Sequence, residues 1–197
     1  MKIVSSAEEI ENSPELAVNN YRWTEKPGPE TRARAVYVEN RGFLIEMSCL
    51  EAEPKAVHSE PDGPVHLDSC MEFFVNFDPE HDKRYVNLEA KSLGNLHCKI
   101  GEGRKNRQPL RELGCKMPEA EAKVGKNSWT LKIFIPAETV KALYGRDNFK
   151  SGDIIKGNFY KCGDETESPH FGMWSDIDIP DADFHRPEFF GEIVLEG

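Results

Sequence analysis

Between Arg84 and Lys91 every second residue is small or apolar: Val86, Leu88 and Ala90 alternate with Tyr85, Asn87, Glu89 and Lys91. A period of two belongs to a half-buried β-strand, because successive side chains of an extended chain point to opposite faces. The same period governs most of the chain. Arg32 to Glu39 alternates and ends in the turn Asn40-Arg41-Gly42. Phe43, Ile45, Met47 and Cys49 then share one face, with Glu46 and Ser48 opposite, and Trp129, Leu131, Ile133 and Ile135 repeat the pattern. Cys70 to Phe77 is apolar on both faces, which predicts a central strand. Ser92-Leu93-Gly94-Asn95 supplies a hairpin turn before the returning set Leu96, Cys98 and Ile100. Ile154 to Cys162 and Phe189 to Leu195 complete the strands, a Pro- and Gly-bearing loop is expected from Pro54 to Pro64, and Pro136 to Tyr144, followed by Gly145, predicts one short helix. About eight to eleven short strands with one helix make an all-β fold, an antiparallel β-sandwich, with barrel closure as the alternative.

Composition sets the limits. The chain of 197 residues, 38% hydrophobic, reads as a single domain over 1–197 that can bury a core without a staple. Its 25 basic against 35 acidic residues give a net charge of −10, so no nucleic-acid or membrane partner is expected, for want of a basic field. The N-terminus lacks a secretory apolar core, which predicts a cytoplasmic protein, or an extracellular one if a leader has been removed. The five cysteines, at odd count and irregular spacing, read as free thiols in a reducing compartment. No HExxH, GxSxG, P-loop or GxGxxG signature occurs. No cofactor is expected. The acidic run Asp176, Asp178, Asp181 and Asp183 reads as a solvated loop, with a structural calcium as the alternative. The basic run Arg104 to Arg111 reads as a solvated loop, with the border of an anionic ligand as the alternative.

Three strands carry polar and aromatic rows of one parity: Glu72, Phe74 and Asn76; Tyr85, Asn87 and Glu89; Lys156, Asn158 and Tyr160. If they face one side, the sheet presents amide, carboxylate, phenol and ring together. That is what a sugar needs, since hydroxyls want paired donors and acceptors and the C–H face of a pyranose wants an aromatic plane. The competing interpretation is an ordinary solvated sheet face. Trp129, in parity with Leu131 and Ile133, belongs to the core, and Trp23 to packing. Trp174 lies in a segment read as loop, where a stacking platform and a hydrophobic plug are both open.

The stretch Asp68-Ser69-Cys70-Met71-Glu72-Phe73-Phe74-Val75, then Tyr85-Val86-Asn87-Leu88-Glu89-Ala90 and Gly94, is followed by His170-Phe171-Gly172-Met173-Trp174 and Phe184-His185-Arg186-Pro187-Glu188-Phe189-Phe190-Gly191. In this order, from about Tyr21 to Leu195, the chain resembles carbohydrate-binding module family nine and its family-nine-like relatives. The resemblance implies a DOMON-like β-sandwich of jelly-roll or immunoglobulin-like architecture. It implies a non-catalytic, glycoside hydrolase-associated role in binding a mono- or oligosaccharide. In the xylanase-linked modules two tryptophans clamp a terminal sugar. The second would fall on Trp174, the sheet carboxylate on Glu72, and the first clamp position on His66, a departure from tryptophan. A sheet arginine of those modules has no counterpart on the strand of Asn87, Glu89 and Lys91.

The sequence thus predicts a sugar site of Trp174, Glu72, His66, Tyr85, Asn87, Glu89, Asn158 and Tyr160, in a chain whose oligomeric state it leaves open. Three alternatives remain: a glycoside hydrolase using Glu72 and Glu89, a haem binder using Met47 or Met173 with His66 or His170, and a protein-interaction domain.

Overall fold

Alternation sorts each strand into an inner and an outer row, and two sheets bury their inner rows against one another. The computed structural model describes residues 1–58 and 63–197. The middle of the loop expected between Pro54 and Pro64 lies outside them. The described chain begins with β1 (Lys2–Val4), β2 (Leu16–Ala17), β3 (Asn20–Tyr21), β4 (Thr31–Val38) and β5 (Gly42–Cys49). It continues through β6 (Cys70–Asn76), β7 (Tyr85–Lys91), β8 (Leu96–Gly101), β9 (Gln108–Pro109), β10 (Glu119–Val124) and β11 (Trp129–Pro136). Helix α1 (Ala137–Tyr144) precedes β12 (Ile154–Gly163), β13 (His170–Met173) and β14 (Gly191–Val194). Of the strands not read from alternation, β1, β2, β3, β9 and β13 are too brief to show a period, while β10 alternates only Glu with Ala and so carries little apolar contrast.

One sheet runs β1-β4-β5-β11-β10 with β2 also on β4; the other runs β3-β13-β12-β6-β7-β8-β9 with β14 also on β12. All pairs are antiparallel except β1 with β4. Ile45, Met47, Leu131 and Ile133 of the first sheet meet Phe73, Val75, Leu88 and Phe159 of the second in one buried cluster. Phe73 and Phe159 stack at 4.5 Å within it. Trp129 is fully buried there, as its parity predicts. The antiparallel β-sandwich expected from the pattern is the fold.

The turns follow their chemistry. Asn40 (φ 57°) and Gly42 (φ 136°) close the β4–β5 hairpin, and a Cβ on Gly42 would meet the Ile135 carbonyl at 2.1 Å. The helix ends at Gly145 (φ 71°), whose N–H donates to the Lys141 carbonyl at 2.8 Å.

One charged network joins the sheets inside the sandwich. Lys161, fully buried on the inner row of β12, donates to Ser69 Oγ at 3.0 Å, to the Cys162 carbonyl at 3.0 Å and to His170 Nε2 at 2.8 Å. Its counter-ion is Glu51, at 3.5 Å, which also accepts from Ser69 and from Trp129 Nε1 at 3.0 Å.

Candidate functional site

Register decides which outer-row residues meet. Tyr160 pairs with Glu72 and Glu72 with Glu89; Asn158 pairs with Phe74 and Phe74 with Asn87. The three polar rows read from the sequence therefore do converge on one face of the second sheet.

That face is divided. Over one half lies the segment 174–190. Asn158 pins it twice, donating to the Ser175 carbonyl at 2.7 Å and accepting the Ser175 N–H at 2.8 Å. Tyr160 donates to the Phe184 carbonyl at 3.1 Å, and Tyr85 OH meets His185 Nδ1 at 2.7 Å. Ile177 and Phe190 bury themselves on Phe74, Tyr85, Tyr160 and Met173. Over the other half the sheet opens into a cavity of about 720 Å3, whose lining includes His66, Glu72, Asn87, Glu89, Phe171 and Phe184.

The expected site is thereby sorted. His66, Glu72, Asn87 and Glu89 line the cavity. Tyr85, Asn158 and Tyr160 sit under the covering segment, as its anchors rather than as cavity wall. Trp174 is not in the cavity either. It follows Met173, which faces the covering segment, so its own ring turns to the opposite side and packs on the inter-sheet core. There it meets Phe159 at 6.0 Å and lies over Gly191, where a Cβ would come within 2.5 Å of the indole. The indole is therefore a plug between elements. Phe171 and Phe184 supply the aromatic surface instead, braced by Trp23, whose ring lies 6.3 and 6.1 Å from theirs.

The main residue not recognised in the sequence is Arg107, from the basic run. It folds back over the sheet, donating to Asn87 Oδ1 from Nε at 2.9 Å and Nη2 at 2.6 Å. It also reaches the carbonyls of Tyr85, Lys99 and Gly103, and its guanidinium stands 4.2 Å over the Tyr85 ring. The sheet face thus has its arginine, delivered by a loop. It fixes the Asn87 amide as a donor, and that amide donates to Glu89 Oε1 at 2.5 Å. Of the acidic run, Asp176 and Asp178 hold Arg22 at 2.5 and 2.8 Å, while Asp183 accepts from Arg104 at 3.0 Å on the cavity rim.

Burial sets the protonation of this face. It pushes Glu72 well above the ordinary carboxylate value, reinforced by Cys162 and Glu89, which favours its protonated form. Burial raises Asp164 in the same way. His97 is lowered by burial, and its Nδ1 has no hydrogen-bond partner among the described residues. His185 is lowered to about 3, by burial and by the cations of Arg107 and Arg104. A neutral His185 lets its ring nitrogen serve the Tyr85 hydroxyl. Because the unfolded histidine titrates near 6.5, the stability this gives is complete above that pH and is lost as pH falls toward 3. Urea denaturation between pH 7 and 4 should show that His185→Gln flattens this loss by up to about 1.4 kcal/mol per pH unit. Parallel profiles for the two proteins would exclude it.

The profile of carbohydrate-binding family 9 matches residues 4–195. Among solved structures, a Bacteroides uniformis ATCC 8492 protein with a proposed carbohydrate-binding role is 28% identical, with a TM-score of 0.80, covering 100% of this chain and 97% of that one. A family 9 carbohydrate-binding module from Caldicellulosiruptor kristjanssonii, solved with cellotriose, is 12% identical with a TM-score of 0.70, covering 100% and 92%. The same organism's module solved with glucose is 11% identical with a TM-score of 0.70, covering 100% and 95%. No curated protein matches the chain.

Proposed function

The chain belongs to carbohydrate-binding family 9, and on that premise we propose that its sheet-face cavity binds a sugar without transforming it. One observation carries the site: the cavity puts Glu72, Asn87 and Glu89 side by side on its floor and Phe171 and Phe184 in its wall. The carboxyls of Glu72 and Glu89 and the fixed Asn87 amide offer both donors and acceptors to neighbouring hydroxyls. The phenyl rings offer an apolar surface to the C–H face of the ring. The similar modules were solved with glucose and cellotriose, so glucose and short β-glucans are the first ligands to try. Glu72 and Glu89 are directly opposed neighbours on one floor. A glycosidase instead holds its two carboxyls on either side of the scissile bond.

Calorimetric titration with glucose, xylose, galactose, cellobiose, cellotriose, xylobiose and uronic acids tests this. One sugar should saturate with a dissociation constant of about micromolar to millimolar. Phe184→Ala should weaken it by roughly tenfold, the worth of one stacked ring, whereas Trp174→Phe should leave it within about twofold. No saturable heat from any sugar would sink the proposal, as would turnover of a chromogenic glycoside. Loss of binding in Trp174→Phe with Phe184→Ala unchanged would overturn the cavity assignment.

A further inference from the structure

Beneath the cavity, register places two thiols and a carboxyl together. Cys70 and Cys162 are directly opposed on β6 and β12, and Glu72 follows two residues along on the same face. Cys162 Sγ lies 3.1 Å from Glu72 Oε1, and the Sγ atoms of both cysteines and a Glu72 oxygen all fall within 4.8 Å of one another. Sheet stability requires no such grouping, since an alanine or valine pair would fill an outer row as well.

We propose that Cys70, Glu72 and Cys162 form a site for a thiophilic divalent cation of the zinc class, with its fourth position open to the cavity. This goes beyond sugar binding and does not depend on it. Three observations support it. The donors suit the ion: two thiolates with a carboxylate select zinc-like metals over calcium or magnesium, which take oxygen alone. The spacing suits it too. Zinc–sulfur bonds of about 2.3 Å and zinc–oxygen bonds of about 2.0–2.2 Å give tetrahedral edges of roughly 3.3–3.8 Å, so the trio needs to close by about 1 Å at most. Finally, the surroundings are dry below and open above. Val65, Cys70 and Cys162 form a small apolar cluster with Phe171 and Phe184 packed against it. Cys162 and Glu72 meanwhile line the cavity, which gives the ion a way in. Each thiol and the Glu72 carboxyl give up their protons on binding, since the metal takes thiolates and a carboxylate. Among the described residues no fourth His, Cys, Asp or Glu atom joins the group, so water or a ligand oxygen from the cavity completes the shell.

The test is a Co2+ titration of reduced, metal-free protein. The expected result is one ion per chain, with thiolate-to-cobalt absorption in the near ultraviolet and the visible bands of a tetrahedral ion, both erased by Zn2+. Cys162→Ser should remove roughly half of the charge-transfer intensity per ion, one of two thiolates being gone. It should also weaken binding by more than the roughly 10–100-fold that loss of an outer-sphere partner costs. Absence of the thiolate band in the wild type at saturating Co2+ overturns the proposal, and no variant is needed for that result. Persistence of the band in the Cys70→Ser/Cys162→Ser protein also overturns it, by assigning the metal to Cys49, Cys98 or Cys115. Sugar titration runs separately, so either proposal can fail alone.

Discussion

Arg107→Ala should lose sugar binding by more than about tenfold and lower stability by roughly 2–4 kcal/mol, as expected when one charged donor serves several buried acceptors. The guanidinium bonds Asn87 twice and the carbonyls of Tyr85, Lys99 and Gly103, and it caps the Tyr85 ring. Alanine leaves those acceptors unpaired and frees the Asn87 amide to turn away from the cavity. Lysine is no rescue, because a point charge cannot reproduce a planar fork. Calorimetry with the bound sugar and urea denaturation would read both effects. A dissociation constant and a midpoint equal to wild type would show that Arg107 is ornamental. Lost stability with unchanged affinity would confine it to structure.

The second large effect lies inside the sandwich. Glu51→Ala strands the Lys161 ammonium, which is fully buried, and an uncompensated buried charge costs about 3–5 kcal/mol. Removing both charges in Glu51→Ala/Lys161→Met should recover most of that loss, since the cost comes from the orphaned ion rather than from the pair. Chemical denaturation of the two singles and the double would establish the coupling, and additive losses would refute it. Acid should imitate the single variant. Burial pushes the Glu51 carboxyl up, but Lys161 and the hydrogen bonds from Ser69 and Trp129 outweigh it and hold it below its usual 4.5. Its contribution is therefore complete above pH 4.5 and disappears as pH falls through the lower folded value.

Period two separates the two rows within each strand, but only the register between strands brings Glu72, Asn87, Glu89, Asn158 and Tyr160 to one side. The period could not say which part of that side stays open. The cover is the segment 174–190, which has no period and is held by single side chains such as Asn158. Sequence reading therefore grouped residues that the fold divides between an open cavity and a covered half. Trp174 shows the same limit. The stretch from His170 reads as a loop without alternation, whereas the chain pairs there as β13, whose parity sets the indole opposite Phe171 and Met173. Arg107 was hidden for a different reason. Its partners Tyr85 and Asn87 lie some twenty residues upstream, and only the closed fold turns a basic loop into part of a sheet face.

The division of the sheet face separates the residues proposed to hold the ligand from those that hold the loop. Tyr85, Asn158 and Tyr160 form a mount, and the rim residues Asp183, Phe184 and His185 hang from it. Exchanging rim side chains other than His185 and Phe184, which themselves contact the mount, would reshape the opening while its backbone stays fastened at Ser175 and Phe184. With the sugar in this cavity as proposed, selectivity would be set at a few interchangeable positions, without rebuilding the sheet that carries them.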